Sequence, residues 1–203
     1  KVVSGTMFPT LAGTVSANIH GKNNFAVGTI GDAVLDLDLV LADGQVRTCS
    51  RTENSELFHA AIGAFGMLGL ISRVRLGTKQ VHSGDLEVTA QATLNLAEMM
   101  AYFEEHKATA DYLVGWIDCF GKGKMLGRGL IHNARYLEPG EDERPLEQTL
   151  ALAHQELPTT IMGLFPKGEM WELLKYFAND GGMRLINGAK YVSGLFEGNR
   201  RPI

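Results

Sequence analysis

Gly5 to Asp32 reads GTMFPTLAGTVSANIHGKNNFAVGTIGD, and its reading decides the fold. Glycines stand at 5, 13, 21, 28 and 31, and small residues fill positions 12–17. Glycine inside a helix or strand costs roughly 0.5–1 kcal/mol relative to alanine. The run therefore predicts backbone laid against something rather than a core helix or strand. Gly13 to Gly21 offers small side chains, main-chain N–H groups and one imidazole, His20, which suits a large, flat, partly anionic ligand approached by main chain. A plain glycine-rich surface loop reads equally well from residue types alone.

Downstream, the pattern turns regular. Val34 to Ala42 alternates apolar residues with Asp36 and Asp38, the period of a half-buried strand. Asp43-Gly44 between two strand-like runs predicts a hairpin. Asn54 or Ser55 is placed to cap a helix over Glu56–Phe65. Gly63, Gly66 and Gly69 then alternate with apolar residues, and Leu70–Leu76 reads as a strand, closing a first unit near Gln80.

From Val81 the character changes. Strands are expected at Asp85–Thr93, Asp111–Asp118 and Met125–Tyr136, with an Asn95-capped helix at Leu96–His106. The acidic, proline-bounded stretch Glu138–Glu147 reads as a solvated loop. Met170–Ala178 predicts a short amphipathic helix, Asn179 to Gly182 a break, and Arg184–Gly194 a strand. Strands and helices without a strict βαβ rhythm make the class α+β.

The totals narrow the function. A chain of 203 residues with 45% hydrophobic and 21% charged residues is ordinary for a globular protein. A formal charge of −4 argues against a nucleic-acid partner. No run approaches the ~20 apolar residues of a membrane span. Cys49 and Cys119 match neither a metal spacing nor a disulfide framework, so a reducing, cytoplasmic setting is the default and no metal is expected. A start at Lys1 and an end at Ile203 read as a piece of a longer protein.

The landmarks Gly5-Thr6, Ala12 to Asn23, Gly28 to Asp32, Leu39 to Gly44, Glu56-Leu57-Phe58 and Gly63, Gly66, Gly69-Leu70-Ile71 follow one another in a familiar order. Together they resemble the second half of a vanillyl-alcohol-oxidase type (PCMH-type) FAD-linked oxidase or dehydrogenase. The string Asn18-Ile19-His20-Gly21-Lys22-Asn23 is most similar to the decaprenylphosphoryl-ribose oxidase branch. The match is clear over about Gly5 to Val81 and looser beyond, at Gly115 to Asp118 and Leu126 to Arg128. The resemblance implies residues 1–80 as the C-terminal part of a PCMH-type FAD-binding domain. Residues 81–203 would be part of an antiparallel-sheet-plus-helices substrate domain.

It also implies roles. Gly5, Thr6, Ala12, Gly13, Ser16, Ala17 and Ile19 would lie along FAD, and His20 would sit beside the isoalloxazine and substrate as the candidate catalytic residue. Gly66, Gly69 and Ile71 would close the adenine and ribityl side, Ile71 through its main chain. The expected reaction is hydride transfer from an alcohol or sugar carbon to the flavin. Ala12 stands where the family has the first glycine of a pair, and Ala64-Phe65 is bulkier than its usual counterpart. Both departures suggest an alternative, a non-catalytic scaffold that keeps the flavin-domain fold. A cofactor-free hydrolase using His20 lacks a nucleophile at usable spacing.

Several residues carry two readings. Lys22 and Asn23 hold a substrate oxygen or shape a turn, and Asp32 caps the next segment. Arg128 and His132, four apart on a strand, share one face and line a substrate cavity, or Arg128 pairs with Asp118 across a hairpin. His59, Glu104 and Glu105 read as packed or solvated positions, and the cysteines as small buried hydrophobes.

Overall fold

Alternation through Val34–Val40 (β1) sends Leu37 and Leu39 into a core and leaves Asp36 and Asp38 on the other side of the strand. The computed structural model describes residues 2, 5, 8–156, 159–161, 165–194 and 200–202. Their contacts divide the chain into two units, residues 1–80 and 81–203.

In the first unit, β1 is the centre of a three-stranded antiparallel sheet, flanked by β2 (Val46–Ser50) and β3 (Leu70–Leu76). Val40 pairs with Val46 and Asp36 with Ser50 across the expected hairpin. Gly44 supplies the positive φ, +81°, that closes it. The short helices α1 (Leu11–Ser16) and α3 (Ile30–Ala33), and α4 (Ser55–Ala61) after β2, supply core residues, whereas α2 (Asn24–Val27) buries none. Val15, Ile30, Leu37, Leu39, Cys49, Phe58, Ala61 and Ile71 form the core.

The glycine-rich run is thus more regular than its composition predicts. Local caps outweigh the cost of glycine. Thr10 Oγ1 accepts the Gly13 N–H at the start of α1, and the Asp32 carboxylate accepts the Thr29 N–H at 2.8 Å at the start of α3. The expected cap of α4 does not form. Asn54 sits at φ +45° and its amide donates to Thr48 O instead. That helix ends at Ala61, earlier than expected, because Ile62 turns extended and Gly63 adopts φ +84°.

The second unit is built on a four-stranded antiparallel sheet in the order β5 (Tyr112–Ile117), β6 (Gly129–Tyr136), β4 (Asp85–Thr93), β9 (Arg200–Pro202). β7 (Thr160–Ile161) and β8 (Phe165–Pro166) make a separate small ribbon. α5 (Leu96–His106) starts at Asn95, whose Oδ1 accepts the Glu98 N–H. Met99 of α5 packs where Gly115 and Gly129 leave no room for a side chain. Leu130 and Trp116 lie opposite each other on the other face, where strand alternation places them.

That other face carries α9 (Asp180–Gly194), where a strand was expected. Gly194 seats on Leu130, and the Lys190 ammonium lies 4.7 Å from the Trp116 ring centre. Ile186, Asn187, Tyr191 and Gly194 recur at helical spacing as the less exposed positions. Asn179 Oδ1 accepts the Gly182 N–H, so the glycine pair lies inside a capped first turn and does not break the chain.

The acidic stretch also differs from expectation. It leads into α6 (Leu146–Thr149) and α7 (Leu152–Gln155), and it is held down by side chains. The Asp142 carboxylate accepts the Ser83 hydroxyl at 2.6 Å and pairs with Arg144, which also pairs with buried Asp85. His154 Nε2 lies 2.8 Å from Asp85 Oδ1. Before these helices come a turn at Gly123–Met125, and after them α8 (Met170–Leu174) with a tight turn at Lys175–Phe177.

Candidate functional site

Helix α1 ends in a left-handed residue, Asn18 at φ +45°, and the chain then runs back past Ile19 and His20. The Ile19 N–H donates to Thr14 O and its carbonyl accepts from Ile30 N–H at 2.8 Å, while its side chain packs on the core. His20 forms an isolated antiparallel bridge with Thr29. The imidazole is exposed, and Nδ1 lies 3.3 Å from Gly21 O. An Nδ1–H donated to that carbonyl leaves Nε2 with its lone pair toward solvent.

A second segment joins the first. The Gly63 N–H donates to Val15 O and the Phe65 N–H to Ser16 O at 2.9 Å, which ties the glycine-rich turn to the end of α1. Phe65 holds φ +52°, rare for an aromatic residue, and is 76% exposed. With Leu11, Met67, Leu68 and Leu70 it gives these two segments an exposed apolar margin, and Gly13, Ala17 and Gly66 of the same segments are exposed as well. A Cβ at Gly66 would meet nothing closer than 4.0 Å. Neither 11–20 nor 63–72 contains a lysine or arginine.

The other candidates fall as follows. Gly5 is exposed, and Thr6 lies outside the described residues. The Ala12 methyl packs against the core, not toward the apolar margin. The Gly13 N–H is held by Thr10, and the Gly13 carbonyl accepts from Ala17. Gly69 is pinned against Val40 O, 2.5 Å from where its Cβ would be. Ile71 points into the core opposite Leu39, and its strand is an outer strand of the sheet. Lys22 is exposed and Asn23 buried.

Arg128 and His132 are in the second unit. Arg128 Nε donates to Asp118 at 2.8 Å, and its guanidinium lies 4.9 Å from the Tyr191 ring centre. Asp118 is 1% exposed and also accepts from Asn187 and from the Phe120 N–H. Burial pushes its carboxyl up, but those hydrogen bonds outweigh it and hold the group below the usual carboxylate range. Of the two readings of Arg128, the ion pair is the one formed. His132 is half-buried between Ala90 and Val114.

Sequence reasoning offered the Asp118–Arg128 pair but missed its third member Asn187, the Asp85–Arg144–His154 group, and Arg51. It gave Asn18 no role beyond the motif. The outer face of the first sheet holds a further ladder, Arg73 to Asp36 and Asp38, and Arg75 to Asp36. The Arg75 hydrogen bond is the main reason the Asp36 carboxyl lies below its ordinary value. Cys49 is buried, and burial raises its thiol, whereas Cys119 is exposed. Among the described residues no helix is long and apolar enough to cross a membrane, and no group of three His, Cys, Asp or Glu could hold a metal.

A sequence model described as an FAD binding domain matches residues 2–50, the span of α1 to β2. The chain is 27% identical over 169 residues to decaprenylphosphoryl-beta-D-ribose oxidase of Mycolicibacterium smegmatis, which is 82% of this chain and 37% of that protein. These matches support a place for the chain among the PCMH-type FAD-linked oxidases. It is also 41% identical over 135 residues to cytokinin dehydrogenase 5 of Arabidopsis thaliana, 64% of this chain and 23% of that protein. Cytokinin dehydrogenase 7 of Oryza sativa matches over 68 residues at 41% identity, 34% of this chain and 13% of that protein. The chain thus spans well under half the length of these relatives.

The cofactor of this family is FAD. The exposed margin of the first unit suits its flat, uncharged parts: apolar side chains, small residues, and an outer strand whose main chain lies at the sheet edge. Segments 11–20 and 63–72 themselves bring no lysine or arginine for a pyrophosphate.

Proposed function

We propose that the whole protein is an FAD-dependent oxidoreductase that oxidises the CH–OH carbon of an alcohol or sugar. The observation that carries this is the glycine-bearing apolar margin formed by α1 and the Gly63–Leu70 turn, within and beside the FAD-binding match. Bound FAD supplies the redox chemistry, taking the hydride from the substrate carbon. Gly13, Ser16, Ala17 and Gly66 form the surface against which the cofactor rests. Gly69 shapes the turn, and Ile71 contributes edge-strand main chain while its side chain anchors β3. His20 receives the substrate hydroxyl proton at Nε2, with Nδ1 held toward Gly21 O. Oxidation of the CH–OH group then yields a carbonyl, with the hydride and the proton both accounted for.

The sugar reading is favoured over a cytokinin because the relative named for a ribose sugar aligns over 82% of this chain, against 64% for cytokinin dehydrogenase 5. Residues 81–203 are proposed as part of the substrate domain, with His132 as a candidate substrate contact and Arg128, held by Asp118, as a structural residue; Lys22 is a candidate substrate contact on the first unit. The scaffold alternative loses one of its two supports, since the Ala12 methyl faces the core. Phe65 remains exposed at the margin. Purified full-length protein is expected to carry FAD, and its visible band to bleach anaerobically with a sugar substrate. His20→Ala is expected to slow bleaching while leaving FAD bound. A full-length protein with FAD that no sugar or alcohol reduces would refute the substrate class.

A further inference from the structure

Two chain segments, 18–20 and 29–31, run side by side and are fastened at both ends. At one end His20 bridges Thr29; in the middle Ile30 N–H donates to Ile19 O at 2.8 Å. At the other end Asn18 Oδ1 accepts the Gly31 N–H at 3.1 Å. The Gly31 carbonyl accepts from Arg51 Nη2 at 3.1 Å, and the Arg51 guanidinium lies over buried Phe58, 5.6 Å from the ring centre. Both polar groups of the Gly31 backbone are therefore engaged by side chains. Gly31 has no room for anything larger: a Cβ would lie 2.8 Å from Ile62 and 2.9 Å from Asn18 Oδ1.

His20 itself has little to hold it. Its ring is exposed, and its one described hydrogen bond is the 3.3 Å contact to Gly21 O. Its position is set through the backbone two residues away. There the chain needs a residue that tolerates φ +45° and also presents an acceptor to Gly31. Asparagine meets both needs, because its short polar side chain makes the left-handed region accessible.

We infer that Asn18, anchored through Gly31 to Arg51, is the positioning residue that fixes the His20 imidazole. The inference rests on the reading of His20 as the group beside the flavin and substrate. Asn18 itself touches no reacting atom in this scheme. It locks the reversal that carries His20, so loss of the Asn18–Gly31 bond lets the imidazole wander without unfolding the unit.

The test uses the full-length, FAD-loaded protein and four variants. Asn18→Gly keeps the left-handed backbone and deletes the acceptor. Asn18→Asp keeps both. Arg51→Met removes the far anchor, and His20→Ala tests the underlying reading and assigns the His20 ring signals by NMR. Asn18→Gly is expected to shift or broaden the His20 ring resonances. It should retain FAD and its melting temperature, and lower kcat about tenfold to a hundredfold, the scale of a misplaced catalytic group. Asn18→Asp is expected to restore the resonances and most of the rate, and Arg51→Met to fall between. Unchanged His20 resonances in Asn18→Gly would overturn the inference, as would a rate loss that merely tracks loss of FAD or of fold. An active His20→Ala would refute the role of His20 in catalysis, whereas the ring resonances of Asn18→Gly would still decide whether Asn18 positions it.

Discussion

Replacing Arg128 with methionine should destabilise the second unit without touching the chemistry. Asp118 is 1% exposed and draws on three donors: Arg128 Nε at 2.8 Å, Asn187 Nδ2 at 2.9 Å and the Phe120 N–H at 3.0 Å. Removing one member of a buried ion pair costs about 3–5 kcal/mol. Two neutral donors remain here, which places the cost near 3 kcal/mol. Loss of the guanidinium over Tyr191 adds about 0.5 kcal/mol. For a unit of this size the sum of about 3.5 kcal/mol lowers the melting temperature by about 12 °C. Asp118→Asn in the same molecule should recover most of it, because a neutral amide no longer leaves a buried charge. The pH dependence follows from the lowered Asp118 carboxyl. A depressed folded value contributes stability that is full above the unfolded value, about 4, and is lost as pH falls through the folded one. The gap between parent and Arg128→Met should therefore be widest at neutral pH and narrow below about pH 4. Thermal unfolding of the full chain from pH 3 to 7 measures both. A variant as stable as its parent but unable to turn over substrate would refute the structural role and make Arg128 a substrate residue.

Three further outcomes are expected. Arg144→Met leaves buried Asp85 with His154 alone, so hydrogen exchange at the amides of α6 and α7 should accelerate at neutral pH. Burial pushes the Asp85 carboxyl up, but His154 and Arg144 outweigh it and hold it low. Protection of α6 and α7 in the parent should accordingly be retained above about pH 4 and fall in stronger acid. Gly69→Ala forces a Cβ to within 2.5 Å of Val40 O at φ +154° and should cost about 3 kcal/mol by urea unfolding. Ala12→Gly removes a core-facing methyl from α1, so it should lower stability by about 1 kcal/mol and leave FAD affinity unimproved, as flavin fluorescence titration would read.

The sheets were legible because their signals are local. Period-2 alternation in Val34–Val40 and Leu70–Leu76, the Asp43-Gly44 turn and the Asn95 cap each act within a few residues. The surface proposed to face the cofactor was picked out by glycine spacing, which did not show which groups stay available: the Gly13 and Ile19 main chain is engaged internally, and Ala12 points the other way. α9 was misread because Gly181-Gly182 looks like a break, whereas Asn179 caps it into a first turn. Beyond the Asp118–Arg128 pair across its hairpin, the members of the buried ion-pair groups could not be read. Asp118 meets Asn187, and Asp85 meets His154, across 69 positions each, and nothing in local pattern links residues so far apart. The acidic stretch had the composition of a solvated loop, and its burial of Asp142 comes from a serine 59 residues earlier.

The visible absorption spectrum of the purified full-length protein tests the central claim most directly. Flavin bands at about 370 and 450 nm, bleached by an added sugar under anaerobic conditions, are the predicted result. A colourless protein that takes up no FAD on incubation would contradict it.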